Sequence, residues 1–281
     1  MSRATLHDGR TIEVEVRGSG PAVLLPVDPH PVEGEQAEEM RTWGNDPALG
    51  RNLIDGLADT FQVVAFDYQG HVMEHPKPDT LTPDNIARDF LAVADAAGAE
   101  RFAYYGYSWL ALSGLQLAVR TDRISALAMG GFPPYAGPYA EMLKVTTATY
   151  ELATAPEPAP EPAAETEQDD DPWSSAAGLP NEEQARQFVT LYENLRDFDD
   201  TKVRLTCPRL CFAGSADQIR YDQKWGGVTV DIGGPLVRHR AELAERGWDV
   251  EVLDGHDHMT AMQPAAVLPV LRPWLSKVLA V

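Results

Sequence analysis

The chain has 281 residues, 44% of them apolar and 23% charged, enough for one large domain with a substantial core. Its 23 Lys and Arg against 43 Asp and Glu leave a formal net charge of −20, which excludes the basic face that nucleic acid or an anionic membrane requires. The longest apolar stretches, such as Ala22–Val27 and Val63–Phe66, fall far short of the roughly 20 residues that span a bilayer, and the start MSRATLHDGRTIEVEV carries no apolar leader. A cytoplasmic protein with a small-molecule partner is expected.

In chain order, Thr11–Val16 (TIEVEV) alternates as a half-exposed strand should, and Gly18-Ser19-Gly20 turns the chain. Ala22–Val27 (AVLLPV) is a continuous apolar run, typical of a strand buried on both faces. After a polar, proline-rich loop, Asn52–Asp59 has helical spacing, and Phe61–Phe66 (FQVVAF) is a second buried strand ending in the loop Asp67-Tyr68-Gln69-Gly70. Thr82-Pro83-Asp84 combines a capping hydroxyl, a proline at the first helical position and an acid in the first turn; the helix it opens runs to about Ala97 and stops at Gly98. Arg101–Tyr105 reads as a strand, Leu112–Val119 as an apolar helix and Ile124–Met129 as a strand closed by Gly130-Gly131-Phe132-Pro133-Pro134.

Past Pro134 the alternation stops. Tyr139–Tyr150 and Glu182–Leu195 have helical spacing, and between them Pro156–Asp171 holds seven acids and no base, a low-complexity run expected to be flexible. Strand and helix then resume with Arg209–Ala213, Pro235–Arg246, Asp249–Leu253 and Ala265–Leu279. The pattern predicts an α/β fold: a mostly parallel sheet flanked by helices over 1–132 and 202–281, with a helical cap inserted over 133–201. Cys207 and Cys211 flank a predicted strand, which sets their Cα atoms about 13 Å apart, too far for a disulfide. Two buried free thiols are expected, and no spacing of Cys and His points to a metal site.

The most informative stretch is Tyr104-Tyr105-Gly106-Tyr107-Ser108-Trp109-Leu110, with a strand leading in and an apolar helix leading out. A serine at such a turn projects above the carboxyl edge of the sheet, over the free N–H groups of the helix start. The pattern is G-x-S-x-G with leucine at the second glycine, tolerable where the neighbouring strand makes room, with Gly114 one turn on. The alternative is a plain helix cap at Ser108.

Here the chain resembles the α/β-hydrolase family over nearly all its length outside the insertion, through AVLLPV, FDYQG, GYSWL, FAGSADQI and DGHDHM in that order. The resemblance implies a serine hydrolase with Ser108 as nucleophile, Asp217 in the loop after a strand as the acid, and His258 before the last helix as the base. His256 competes with His258, and Asp254 and Asp257 with Asp217; Asp217 could also be a turn-forming aspartate. The other histidines, His7, His71, His75 and His239, read as surface or loop residues. A serine hydroxyl needs an adjacent base, a histidine is suited to that task near neutrality, and a buried carboxylate fixes its tautomer; no metal or cofactor is implied.

One oxyanion donor is expected at the Trp109 N–H. The other should come from Pro26-Val27-Asp28-Pro29-His30-Pro31, where proline cannot donate, leaving Asp28 or His30. Trp109, Phe132 and Tyr135, with Trp173 nearby, are candidates for an apolar substrate pocket. The expected activity is cleavage of an ester, lactone or related acyl bond, with acyl transfer, cyclisation or lyase chemistry on the same triad, or ligand binding without turnover, as alternatives.

Overall fold

The computed structural model describes residues 2–155 and 180–281; the acidic run 156–171 and Trp173 lie outside them. Its strands are β1 Ser2–Thr5, β2 Thr11–Arg17, β3 Ala22–Leu25, β4 Gln62–Ala65, β5 Phe102–Tyr107, β6 Ile124–Gly130, β7 Arg209–Gly214, β8 Gln218–Arg220, β9 Thr229–Asp231 and β10 Trp248–Leu253. Eight of them form one sheet in the order β1-β2-β4-β3-β5-β6-β7-β10, and β8 and β9 form a separate hairpin. β1 and β2 pair antiparallel, as do β2 and β4, whereas every pairing from β4 across to β10 is parallel.

The continuous apolar runs form parallel strands because helices cover both faces. Val23, Leu25, Val63, Ala65, Ala103 and Tyr105 pack on one side with the helices Leu49–Leu57 and Pro264–Leu279. Leu24, Val64, Phe102 and Tyr104 alternate to the other side, against Pro83–Ala96 and Trp109–Ala118. β3 lies between β4 and β5, so the chain reverses its progress across the sheet there. Loops leaving the carboxyl ends of strands at such a reversal splay apart and open a crevice.

Several elements differ from the sequence expectation. Glu35–Thr42 is helical inside the expected loop, and Tyr68–Glu74 is a helix capped by Asp67, which accepts from the Gly70 N–H at 2.8 Å. The single helix expected over Pro235–Arg246 is two short ones, Gly233–Arg238 and Arg240–Glu245, meeting at His239. Both cysteines are free, but Cys207 is only half-buried.

Between β6 and β7 the helices Tyr139–Thr154 and Glu182–Glu193 pack against each other. The second is held to the body of the protein by side chains reaching main-chain groups of 72–78. Gln184 Nε2 donates to Met73 O at 2.7 Å, Gln187 Nε2 to Val72 O at 3.1 Å and Thr190 Oγ1 to Pro78 O at 2.5 Å. Gln187 Oε1 accepts from the Lys77 N–H in return, at 3.1 Å.

His7, expected as a surface or loop residue, does lie in the β1–β2 connection, but its ring is buried in a latch that ties that connection to the helix Pro83–Ala96. The fully buried Asp89 carboxylate lies 2.9 Å from His7 Nδ1, accepts from the His7 N–H at 2.6 Å and from the Tyr68 hydroxyl at 2.8 Å. Asp89→Ala strands those buried donors, and it should lower the unfolding free energy by about 3 kcal/mol. Urea denaturation reads the change, and a loss under about 1 kcal/mol would show the latch to be dispensable.

Candidate active site

Ser108 follows β5 directly and precedes the helix Trp109–Ala118. Its backbone sits at φ 57° and ψ −131°, a left-handed conformation that L-residues adopt only when the surroundings hold it there. The holding contacts are a Ser108 N–H bond to Gly130 O at 2.8 Å and the Ser108 carbonyl accepting from Ala111 at 2.9 Å. The side chain makes no capping hydrogen bond, which removes the helix-cap alternative. Strand and helix approach so closely that a Cβ at Gly106 would lie 2.5 Å from the Leu110 carbonyl oxygen. The Tyr104 hydroxyl donates to that same carbonyl at 2.7 Å, and Gly114 leaves the space its ring occupies. Leu110 is therefore accommodated because its side chain turns into the core and the tight contact falls on backbone.

Asp217 and His258 come from the turns after β7 and β10 and meet in a buried pair: Nδ1 lies 3.0 Å from Oδ1 and 3.1 Å from Oδ2. The two turns are stitched together. Ser215 N–H donates to Leu253 O at 2.9 Å, Ala216 N–H to His256 O at 2.9 Å and Gly255 N–H to Ser215 Oγ at 2.8 Å. Gly214 is required because a Cβ there would run into the His256 carbonyl. The Asp217 carbonyl accepts from Ile232 at 3.0 Å and Gly233 at 2.9 Å, so the acid is fixed from both sides.

The rivals are engaged elsewhere. Asp254 takes the Ser215 hydroxyl at 3.3 Å; Asp257 caps the helix His258–Ala261, accepting from the Thr260 N–H at 2.8 Å. His256 Nδ1 lies 3.0 Å from the Asp254 carbonyl. His258 Nε2 and Ser108 Oγ make no hydrogen bond to any described residue, so the imidazole and the hydroxyl are not bonded to each other. They are linked through Tyr107, the residue before Ser108, whose ring centroid lies 5.1 Å from that of His258.

On the β3 side, the His30 N–H, one of two expected oxyanion donors, is taken by Asp28 Oδ1 at 2.8 Å and is not available. The Asp28 N–H makes no hydrogen bond among the described residues, and the helix Leu49–Leu57 presses Gly50 against the Asp28 carbonyl, which fixes the loop. The Trp109 N–H, at the first helical position, has no acceptor within its own helix.

Trp109 packs edge-on to Phe188 of the insertion at 5.4 Å, and its Nε1 donates to Gln69 Oε1 at 3.2 Å. Sequence reading took Phe188 only as part of a helical face; its partner is separated from it by 79 residues, and nothing local announces the contact. Phe132 is buried against Tyr139, ring centroids 5.7 Å apart. Tyr135 turns elsewhere, beneath the Arg246 guanidinium at 4.7 Å and beside His239 at 5.0 Å, in a small recess with Arg209 and Trp248 at the amino ends of β7 and β10. His71, expected as a surface or loop residue, is buried on the helix Tyr68–Glu74, and its Nε2 has no hydrogen-bond partner among the described residues.

Burial holds the Asp217 carboxyl above the usual aspartate range, against the opposing pull of the His258 hydrogen bond. A raised folded value means the native state keeps its proton longer than the unfolded chain does. Stability therefore falls as pH climbs from the ordinary value of 3.8 through the folded one, and is flat above it. Asp217→Asn cannot ionise and should be more stable than the native chain near neutrality, with the advantage shrinking as pH falls toward 3.8. Urea midpoints of the two proteins across that range measure it; an asparagine variant no more stable near neutrality would contradict the balance of burial over attraction.

No family model matches the chain, and no curated protein matches it in sequence. Solved structures do match along its whole length. A protein described by its recognition and ring-cleavage of the Pseudomonas quinolone signal superposes with a TM-score of 0.61 at 13% identity, covering 99% of this chain and 100% of that chain. An esterase from Thermogutta terrifontis gives 0.58 at 17% identity, with 99% of each chain covered. An epoxide hydrolase from Vigna radiata gives 0.57 at 16% identity, covering 99% of this chain and 98% of that one. With the parallel sheet, its reversal at β3 and the helical insertion after β6, these likenesses establish that the chain has the α/β-hydrolase fold.

Proposed function

We propose that the chain is a serine hydrolase that cleaves an ester, lactone or related acyl bond of a small, largely apolar molecule through an acyl-serine intermediate. The observation that carries this reading is the buried His258–Asp217 pair, 3.0 and 3.1 Å apart, beside a serine held at φ 57° with no capping duty. A structural serine needs neither the strained backbone nor a carboxylate-backed imidazole at the same sheet edge.

In this mechanism Ser108 Oγ attacks the acyl carbon as its proton passes to His258 Nε2, the ring nitrogen left open once Nδ1 is bonded to Asp217. Asp217 fixes the ring and stabilises its charged form. The tetrahedral oxyanion accepts from the Trp109 and Asp28 N–H groups. Nε2 then hands the proton to the departing alkoxide, leaving the acyl group on Ser108. A water molecule, deprotonated by the same nitrogen, releases the acid and restores the serine. Residues 133–201 act as the cap, and Phe188 against Trp109 gives the nucleophile an aromatic wall that favours an apolar acyl group.

One observation favours a second reading. Asp28 carries a half-exposed carboxylate next to its donor N–H, and an anion there opposes a developing oxyanion. The same pocket would then hold a small-molecule ligand without turnover, whereas acyl transfer on this triad passes through the same oxyanion and gains nothing from that anion. Product analysis in isotopically labelled water separates them, because only hydrolysis places solvent oxygen in the acid.

The native protein should be labelled by a fluorophosphonate probe at Ser108. Ser108→Ala and His258→Ala should abolish labelling and lower kcat/KM for short p-nitrophenyl esters by about 1000-fold or more. A native protein that neither labels nor turns over such esters would remove the hydrolase reading.

A further inference from the structure

We propose that Tyr107 is a positioning residue that sets the catalytic imidazole by holding the main chain of His258. Its hydroxyl donates to the His258 carbonyl oxygen at 2.8 Å, across 151 residues of sequence, while its ring lies against the imidazole at a centroid distance of 5.1 Å and an angle of 52°. This inference rests on the hydrolase reading for its kinetic consequence, but the contact itself does not.

The surroundings are shaped for that reach. The ring passes over the end of β6, where two successive residues are glycines: a Cβ on Gly130 would lie 2.6 Å from Tyr107 Cδ2, and one on Gly131 would lie 2.5 Å from Tyr107 Cζ and 2.9 Å from its hydroxyl oxygen. Gly131 also sits at φ 62°, a backbone that favours glycine by itself. Phe212 on β7 backs the ring at a centroid distance of 6.3 Å. The phenol thus runs through a slot cut by small residues of one strand and walled by a neighbouring strand, and it ends on the base. Burial, reinforced by Asp217, pushes its pKa far upward, so the hydroxyl stays protonated and remains a donor.

The consequence concerns geometry. The imidazole's ring nitrogens are fixed by two constraints, the Asp217 carboxylate on Nδ1 and the position of the backbone from which the ring projects. The cap on Asp257 and the bonds between the two turns tie that backbone to the ends of β7 and β10. Tyr107 adds the tie to β5, the strand that leads into Ser108, by bonding the His258 carbonyl. One residue therefore sets base and nucleophile in a common frame. The Tyr107 hydroxyl bonds a main-chain carbonyl and no reacting atom, so the loss on removing it should appear in kcat and leave KM alone.

The experiment compares native protein with Tyr107→Phe, which keeps the ring and the packing and deletes only the donor. In full-length protein carrying isotopically labelled histidine, the Nδ1–H of His258 bonded to Asp217 should give a far-downfield proton resonance, assigned by its absence in His258→Ala. In Tyr107→Phe that resonance should broaden or vanish by exchange with water, and kcat for a p-nitrophenyl ester should fall about tenfold or more with KM unchanged. An unchanged resonance overturns the proposal whatever the kinetics do. If the native protein hydrolyses no ester and takes no fluorophosphonate, the hydrolase reading fails, and the resonance comparison still decides whether Tyr107 positions His258.

Discussion

The parallel run of the sheet from β4 to β10 constrains everything else, because parallel strands deliver all their carboxyl ends to one edge. The turns after β3, β5, β7 and β10 supply Asp28, Ser108, Asp217 and His258 to that edge, from positions spread over 230 residues of chain. Reversal of strand order at β3 sends the connections after β3 and β5 in opposite directions across the sheet. An antiparallel arrangement of the same strands would send alternate turns to opposite ends. Side-chain chemistry at the site is thus a consequence of strand direction, which is itself dictated by helices lying between successive strands and covering both faces.

At that edge, backbone strain and desolvation are concentrated and then held by ordinary packing. Ser108 keeps a left-handed backbone because the Gly130 carbonyl fixes it on the strand side and Ala111 on the helix side. Burial raises the Asp217 carboxyl above its ordinary range, and the His258 hydrogen bond pulls against that shift. Neither arrangement stabilises the fold. Both persist because the surrounding hydrogen bonds are numerous and the neighbouring strands are fully packed, which is how a folded chain can hold local features that its own residues disfavour.

The sequence made the sheet legible because apolar runs of strand length are unambiguous when helices punctuate them. Ser108, Asp217 and His258 stood out because each follows a strand in a recognisable order. Where sequence and structure differ, the cause is a weak local helix signal, a side chain folding back on its own loop, or a partner far along the chain. Glu35–Thr42 and Tyr68–Glu74 lack a long apolar stripe, and the second is opened by a cap on Asp67 inside a stretch that looks like a turn. His7 looked like a surface or loop residue because its partner Asp89 is 82 positions away. His30 is a candidate donor because the prolines of its loop cannot donate, whereas the Asp28 side chain folds back and takes its N–H. Tyr135 was grouped with the pocket through its aromatic character, but Arg246 offers it a cationic partner on another part of the molecule.

The insertion shows how hydrogen bonds add to apolar packing in fixing a helix, since Glu182–Glu193 also buries Ala185, Val189, Leu191 and Tyr192. Gln184, Gln187 and Thr190 are polar, yet they face inward and bond main-chain groups of Val72, Met73, Lys77 and Pro78. Apolar contact would be tolerant of sliding, whereas hydrogen bonds to successive carbonyls fix both rotation and register of the helix Glu182–Glu193. Phe188 lies one residue from Gln187 in that same helix, so fixing the glutamine also fixes the ring that meets Trp109. The contact between Phe188 and Trp109 is therefore set by side-chain amides as well as by aromatic packing. That is why the contact belongs to the folded protein and not to the helix in isolation.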